Sequence, residues 1–165
     1  MRIQRWVLFA LSAIGGSSLA ADESPLNLEG TWVMTSAYEV LADGTRTTNY
    51  GEHPKGLLLI DKAGRYSLQI FRPDRPKFAT SVKAQGTSDE FRAAAMGSST
   101  HFGRIVVDAA KRRLTFKIEA SSFPNWERTE QVREYTYENG SLSYAVPASA
   151  SGNGTIAYSV WKQSP

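Results

Sequence analysis

From Thr31 onward, apolar residues recur at every second position in short runs, and each run is closed by turn residues. This period places one face of each segment in a dry core and the other in water, which is the signature of antiparallel β-structure. Residues 31–40 set Trp32, Met34, Ser36 and Tyr38 against Thr31, Val33, Thr35 and Ala37. Residues 57–60 form a short apolar run, and after a turn at 61–64 Tyr66, Leu68 and Ile70 share a face. Residues 105–107 lead into a turn at 108–111. Leu114, Phe116, Ile118 and Ala120 then alternate with Thr115, Lys117, Glu119 and Ser121 in the cleanest strand of the chain. Residues 131–137 and 141–146 flank Asn139-Gly140, a pair that tolerates the positive φ angles of a type I′ hairpin. Residues 155–162 supply the last strand. One segment departs from the pattern: residues 88–96 read as a helix, with Ser88 as its cap, Asp89 and Glu90 in the first turn and Gly97 at its end. The expected fold is all-β, a closed up-and-down antiparallel barrel of about eight strands with one short helix. A β-sandwich is the alternative. No repeat of the length used by propellers or solenoids is visible.

The segment before this body reads as a targeting signal. Arg2 and Arg5 precede an apolar stretch at residues 6–14, and Ser18-Leu19-Ala20 offers small residues for cleavage. The apolar stretch is too short to span a membrane, so no stable insertion is expected after cleavage. The expected organisation is a signal peptide over 1–20, a flexible lead over 21–29 and one barrel domain over 30–162, in a protein exported to the periplasm or the extracellular space. Without Arg2 and Arg5, 17 basic residues face 16 acidic ones, which gives no electrostatic footprint for a nucleic-acid partner. The absence of cysteine excludes disulfides, thiolate metal sites and cysteine nucleophiles, and two histidines cannot build a three-histidine metal centre. No cofactor or metal is expected.

Enzyme signatures such as G-x-S-x-G, H-E-x-x-H, the P-loop and G-x-G-x-x-G are absent from the sequence. Ser159-Val160-Trp161-Lys162 matches S-x-x-K in letters, but it falls on a strand where that motif needs a helix start. His53 reads as a loop residue. His101, at a strand start beside Phe102, reads as a hydrogen-bonded core or pocket residue rather than a base. The most informative feature is the face shared by Gln131, Arg133, Tyr135 and Tyr137. A guanidinium turned into a barrel needs Glu39, Glu119, Glu130, a carbonyl or a bound anion beside it, or else it snorkels at the mouth. Trp32, Met34, Tyr38, Tyr66, Leu68, Phe116, Ile118 and Tyr158 are further inward candidates. A barrel of this size is wide enough either for one small ligand or for its own side chains.

Several motifs resemble those of the lipocalin-like domain family of bacteria and fungi. Gly30-Thr31-Trp32 resembles the G-x-W that opens lipocalin barrels. Gly51-Glu52-His53-Pro54-Lys55-Gly56 resembles the family's loop into its second strand, and Gly64-Arg65-Tyr66-Ser67 its first tight hairpin. Phe102-Gly103-Arg104 and Phe123-Pro124-Asn125-Trp126, followed by Gln131-Val132-Arg133, continue the match in order. Two positions depart from it: His101 stands beside Phe102, and Arg128 stands where the family commonly has glycine. The resemblance implies a calycin-type barrel and, by analogy, a small hydrophobic or amphipathic ligand in its interior. Lys162 would then pack over Trp32. Gly30, Trp32, Phe123, Pro124 and Trp126 are expected to be structural, the last three as a plug at the barrel bottom, with a lid over the mouth as the alternative. Tyr66, His101, Phe116, Arg133, Tyr135 and Tyr158 are the expected ligand contacts, and binding without turnover is expected. Two other readings stay open: an isomerase or cyclase using His101 and Arg133, and a filled barrel serving as an interaction module.

Overall fold

The computed structural model describes residues 26–48, 50–146 and 155–165. The expected signal segment and residues 21–25 of the lead lie outside the described residues. The strands are β1 (Gly30–Val40), β2 (Arg46–Thr47), β3 (Lys55–Ile60), β4 (Arg65–Phe71), β5 (Ser98–Asp108), β6 (Arg113–Ser121), β7 (Glu130–Glu138), β8 (Ser141–Val146) and β9 (Ile156–Gln163). One α-helix, α1 (Ser88–Met96), lies between β4 and β5. From β3 to β9 each strand pairs antiparallel with the next, β1 pairs with β3, and β9 returns to β1. The result is a closed eight-stranded barrel, and the two-residue β2 is an appendage on β1.

Tight turns hold the register at one end. In the β3–β4 turn, Asp61 Oδ1 accepts from the amides of Ala63 and Arg65 at 2.9 and 2.8 Å. The β7–β8 hairpin turns through Asn139 at φ 52° and Gly140 at φ 74°, the left-handed pair that a type I′ turn demands. Trp32 marks the same end. Its side chain is fully buried with Leu58, Leu114, Leu142 and Trp161, and its indole donates to the Leu28 carbonyl at 2.9 Å. Lys162 does not cover Trp32. It is exposed on the barrel's outer surface, because the alternation of β9 turns Ser159 and Trp161 inward. Tyr137 meets the Trp32 ring edge-on instead, at 6.3 Å.

Two irregularities reshape the interior. The β1–β9 register shifts between Met34 and Ser36, so the inward face passes from Trp32 and Met34 to Ala37. The extra residue of a bulge reverses the parity of everything after it. Tyr38 therefore leaves the parity of Trp32 and Met34; it stacks against Tyr158 at 5.0 Å, with the Arg46 guanidinium 3.4 Å from its ring centre, and both tyrosines are on the lining of the cavity described below. A second shift falls between Phe102 and Gly103 on β5, where a Cβ on Gly103 would collide with the Lys117 carbonyl.

The helix begins one residue earlier than Ser88 capping implies. Thr87 is the cap: its hydroxyl accepts from the Glu90 amide at 3.3 Å, while Glu90 Oε2 accepts from the Thr87 amide at 2.7 Å. No residue of α1 is buried, so the helix covers a connection rather than building the core.

Candidate functional site

The β4–β5, β6–β7 and β8–β9 connections all lie at the end opposite Trp32, and a cavity of about 330 Å³ occupies that half of the barrel. Its walls are Leu68 and Ile70 from β4, Val146 from β8 and Trp126 from the β6–β7 connection. Arg133, His101 and Tyr144 contribute the polar atoms at its inner part, and Glu39 with Arg72 contributes charge elsewhere on the lining. The volume is at the small end of the range for ligand pockets.

A layer of rings lies beneath the polar group. Tyr66 Oη and His101 Nδ1 are 2.8 Å apart. Phe116 sits edge-on to both rings, with centres 5.1 Å from Tyr66 and 5.8 Å from His101. The Arg133 guanidinium lies 4.3 Å from the Phe116 centroid and 5.3 Å from that of Tyr144. Arg133 is only 3% exposed. Its Nη2 donates to Gln131 Oε1 at 2.6 Å, while its Nε meets no partner among the described residues. Tyr144 Oη and Trp161 Nε1 are likewise buried without a well-formed hydrogen bond there, although Trp161, Ser159 and Arg133 all act on the Tyr144 phenol. The carboxylates proposed from sequence do not pair with Arg133. Glu119 faces outward to Arg65 at 3.1 Å, Glu130 to Lys117 at 2.9 Å, and Glu39 accepts from the Thr155 hydroxyl at 3.3 Å. Strand parity explains the first two, because on β6 and β7 these glutamates alternate with the inward residues.

Burial sets the protonation states. It pushes His101 down to about 3, with the nearby Arg133 charge acting in the same direction. Burial raises Tyr66 and Tyr144, and the Arg133 charge only partly opposes it. Both phenols therefore keep their protons at neutral pH and His101 is an uncharged ring. In either neutral tautomer the Tyr66–His101 pair retains one donor beyond the bond it shares. Burial also lowers Arg133, against the influence of Tyr144 and Tyr66.

Of the residues expected to contact a ligand, His101, Arg133 and Tyr158 line the cavity. Tyr66 and Phe116 lie in the ring layer beneath, and Tyr135 is core, paired across the sheet with Tyr144. Phe123, Pro124 and Trp126 do not plug the bottom of the barrel. Chain direction places this turn at the cavity end, because β6 runs from the closed end toward His101, where Ser121 pairs with it. Trp126 packs edge-on to His101 at 6.0 Å, and Phe123 is 47% exposed. Gly30 takes φ 128° at the start of β1, and a side chain there would meet the Gln163 amide. Tyr144 was missed by sequence reading, although the alternation of Leu142, Tyr144 and Val146 carried the signal. His53 is an exposed loop residue.

Among the described residues no cluster of metal-ligating side chains occurs, and no helix is long and apolar enough to cross a membrane. A lipocalin-like domain model matches residues 29–164. A 4'-hydroxy-3'-methoxypropiophenone carrier protein of Aspergillus oryzae is 28% identical over 107 residues, which is 60% of this chain and 96% of that protein.

Proposed function

The chain belongs to the lipocalin-like domain family, and from that premise we propose that it carries a small hydrophobic or amphipathic molecule in the barrel interior. The observation that supports this most is the cavity itself: aliphatic and aromatic walls around a few buried polar atoms, the usual composition of a small-molecule site. The similarity to a protein named as a carrier supports the same reading, and that protein's named cargo is a phenolic aryl ketone, an amphipathic one-ring molecule. The proposal includes export, on the Arg2/Arg5 segment and the Ser18-Leu19-Ala20 site.

Turnover is not part of this reading. His101 and Arg133 do share one cavity, as an acid–base enzyme would need. However, a ring held uncharged down to about pH 3 is a weak base, and its Nδ1 is already bonded to Tyr66. The test is a titration with N-phenylnaphthylamine, a neutral probe whose fluorescence rises in apolar surroundings. One saturable site is expected in the wild type, and Ala157→Trp, which places a large ring on the cavity wall, is expected to abolish it. A folded wild type that binds no probe overturns the carrier reading in favour of an interaction module.

A further inference from the structure

We propose that the inner part of the cavity is an oxyanion site, so that the cargo is a compact organic acid whose carboxylate lies against Arg133 and whose apolar body lies against Trp126, Leu68 and Val146. This deepens the carrier reading and rests on it. The first observation is an inventory. Among the described residues, the cavity lining holds two buried side-chain atoms without a well-formed hydrogen bond, Arg133 Nε and Tyr144 Oη. Each of them carries a hydrogen to donate. A cavity whose unmet groups are donors selects a ligand rich in acceptors.

The second observation is charge. Arg133 is a buried cation, and among the described residues the groups that hydrogen-bond to it are neutral, the Gln131 amide and the Tyr144 phenol. The titratable groups that act on it are the phenols of Tyr144 on β8 and Tyr66 on β4; His101 on β5 feels its charge in turn. All three are uncharged at neutral pH, so among the described residues nothing packed around the guanidinium neutralises it. Glu39, the one carboxylate of the cavity lining among the described residues, is held by Thr155, and Arg72 on the same lining is paired with Asp74 at 2.8 Å. A buried cation without a counter-charge is strongly unfavourable, and a carboxylate answers both needs, since its two oxygens match the planar fork of an arginine. The Phe116 and Tyr144 faces fix the plane of that fork.

The test uses three matched ligands on the whole mature protein: naphthoate, its methyl ester, and naphthylmethylamine, titrated by calorimetry at pH 7.5. Naphthoate is expected to bind roughly 30-fold or more tightly than the ester, the scale of a buried charge pair, and the amine is expected not to bind. Arg133→Met should reduce naphthoate to the ester's affinity while leaving the ester unchanged. Arg133→Lys, a point charge without the fork, should fall between the two. Equal binding of naphthoate and ester by the wild type overturns the oxyanion site while the carrier reading stands. A preference for naphthoate that survives in Arg133→Met removes Arg133 from the site. Binding of none of these ligands, nor of the neutral probe, overturns both readings together. The acid-to-ester comparison is made on the wild type, so it decides even where a variant does not fold.

Discussion

Replacing Arg133 by methionine should leave the ligand-free barrel as stable as the wild type or more so. The substitution deletes the charge-assisted hydrogen bond to Gln131, about 1.5–3 kcal/mol, and the contacts with two ring faces, about 2 kcal/mol at most. It also deletes the desolvation of a 3%-exposed cation, several kcal/mol even after relaxation, and an unpaired Nε donor, about 1–3 kcal/mol. Gln131 is only partly buried, so water can replace the guanidinium at its amide oxygen. Methionine is flexible and of similar bulk, so it fills the space with little strain. The balance is zero to about 2 kcal/mol in favour of the variant, in line with other replacements of buried charges by apolar residues. For a domain of this size that raises Tm by up to roughly 7 °C. Calorimetric scans of both proteins without ligand measure it directly. A loss of more than about 2 kcal/mol would show that Arg133 is a structural strut, and the argument that its charge awaits a ligand would fail.

Trp32→Ala should cost about 3–5 kcal/mol in urea unfolding, because a fully buried indole and its bond to Leu28 are lost; an unchanged midpoint would show that Trp32 does not hold the closed end. His101 makes stability fall with acidity. Below the unfolded value of 6.5 the unfolded chain takes up a proton that the folded ring refuses until about pH 3. Across that window the native state loses up to ~1.4 kcal/mol per pH unit, stability being full above the window. Urea midpoints from pH 7 to 4.5 should therefore fall more steeply for the wild type than for His101→Gln, and parallel slopes would refute the buried neutral ring. N-terminal sequencing of the exported protein should start at Ala21 or Asp22, whereas an intact Met1 on a cytoplasmic species would refute export.

The barrel was legible because alternation in β4, β6 and β8 is regular, and a period of two admits one assignment of faces. It failed in β1, where one extra residue after Met34 turns Ala37 inward in place of Ser36, since a bulge leaves no mark in a run already mixed in polarity. The helix cap was misplaced by one residue because Thr87 and Ser88 are both competent caps and only the Glu90 contact separates them. At the site, Arg133 with Tyr66 and Phe116 was recoverable from face-sharing on three strands. The Phe123–Trp126 turn was assigned to the wrong end. An aromatic corner packs well at either end of a barrel, and only chain direction along β6 distinguishes them. What local patterns could not show was that Glu39, Glu119 and Glu130 all miss Arg133, because pairing across a barrel depends on register.

The central claim is that a small molecule sits inside the barrel beside Arg133 and His101. Methyl and side-chain NMR during addition of naphthoate tests it most directly, with the reporters chosen from the two faces of the strands. Shifts are expected in the methyls of Leu68, Ile70 and Val146, the Trp126 indole and the His101 ring, all of which line the cavity. None is expected in Val33, Leu59, Val106 or Val132, which are exposed on the outer face. Shifts confined to that outer set, or no shifts from any member of the inner set at saturating probe, would contradict it.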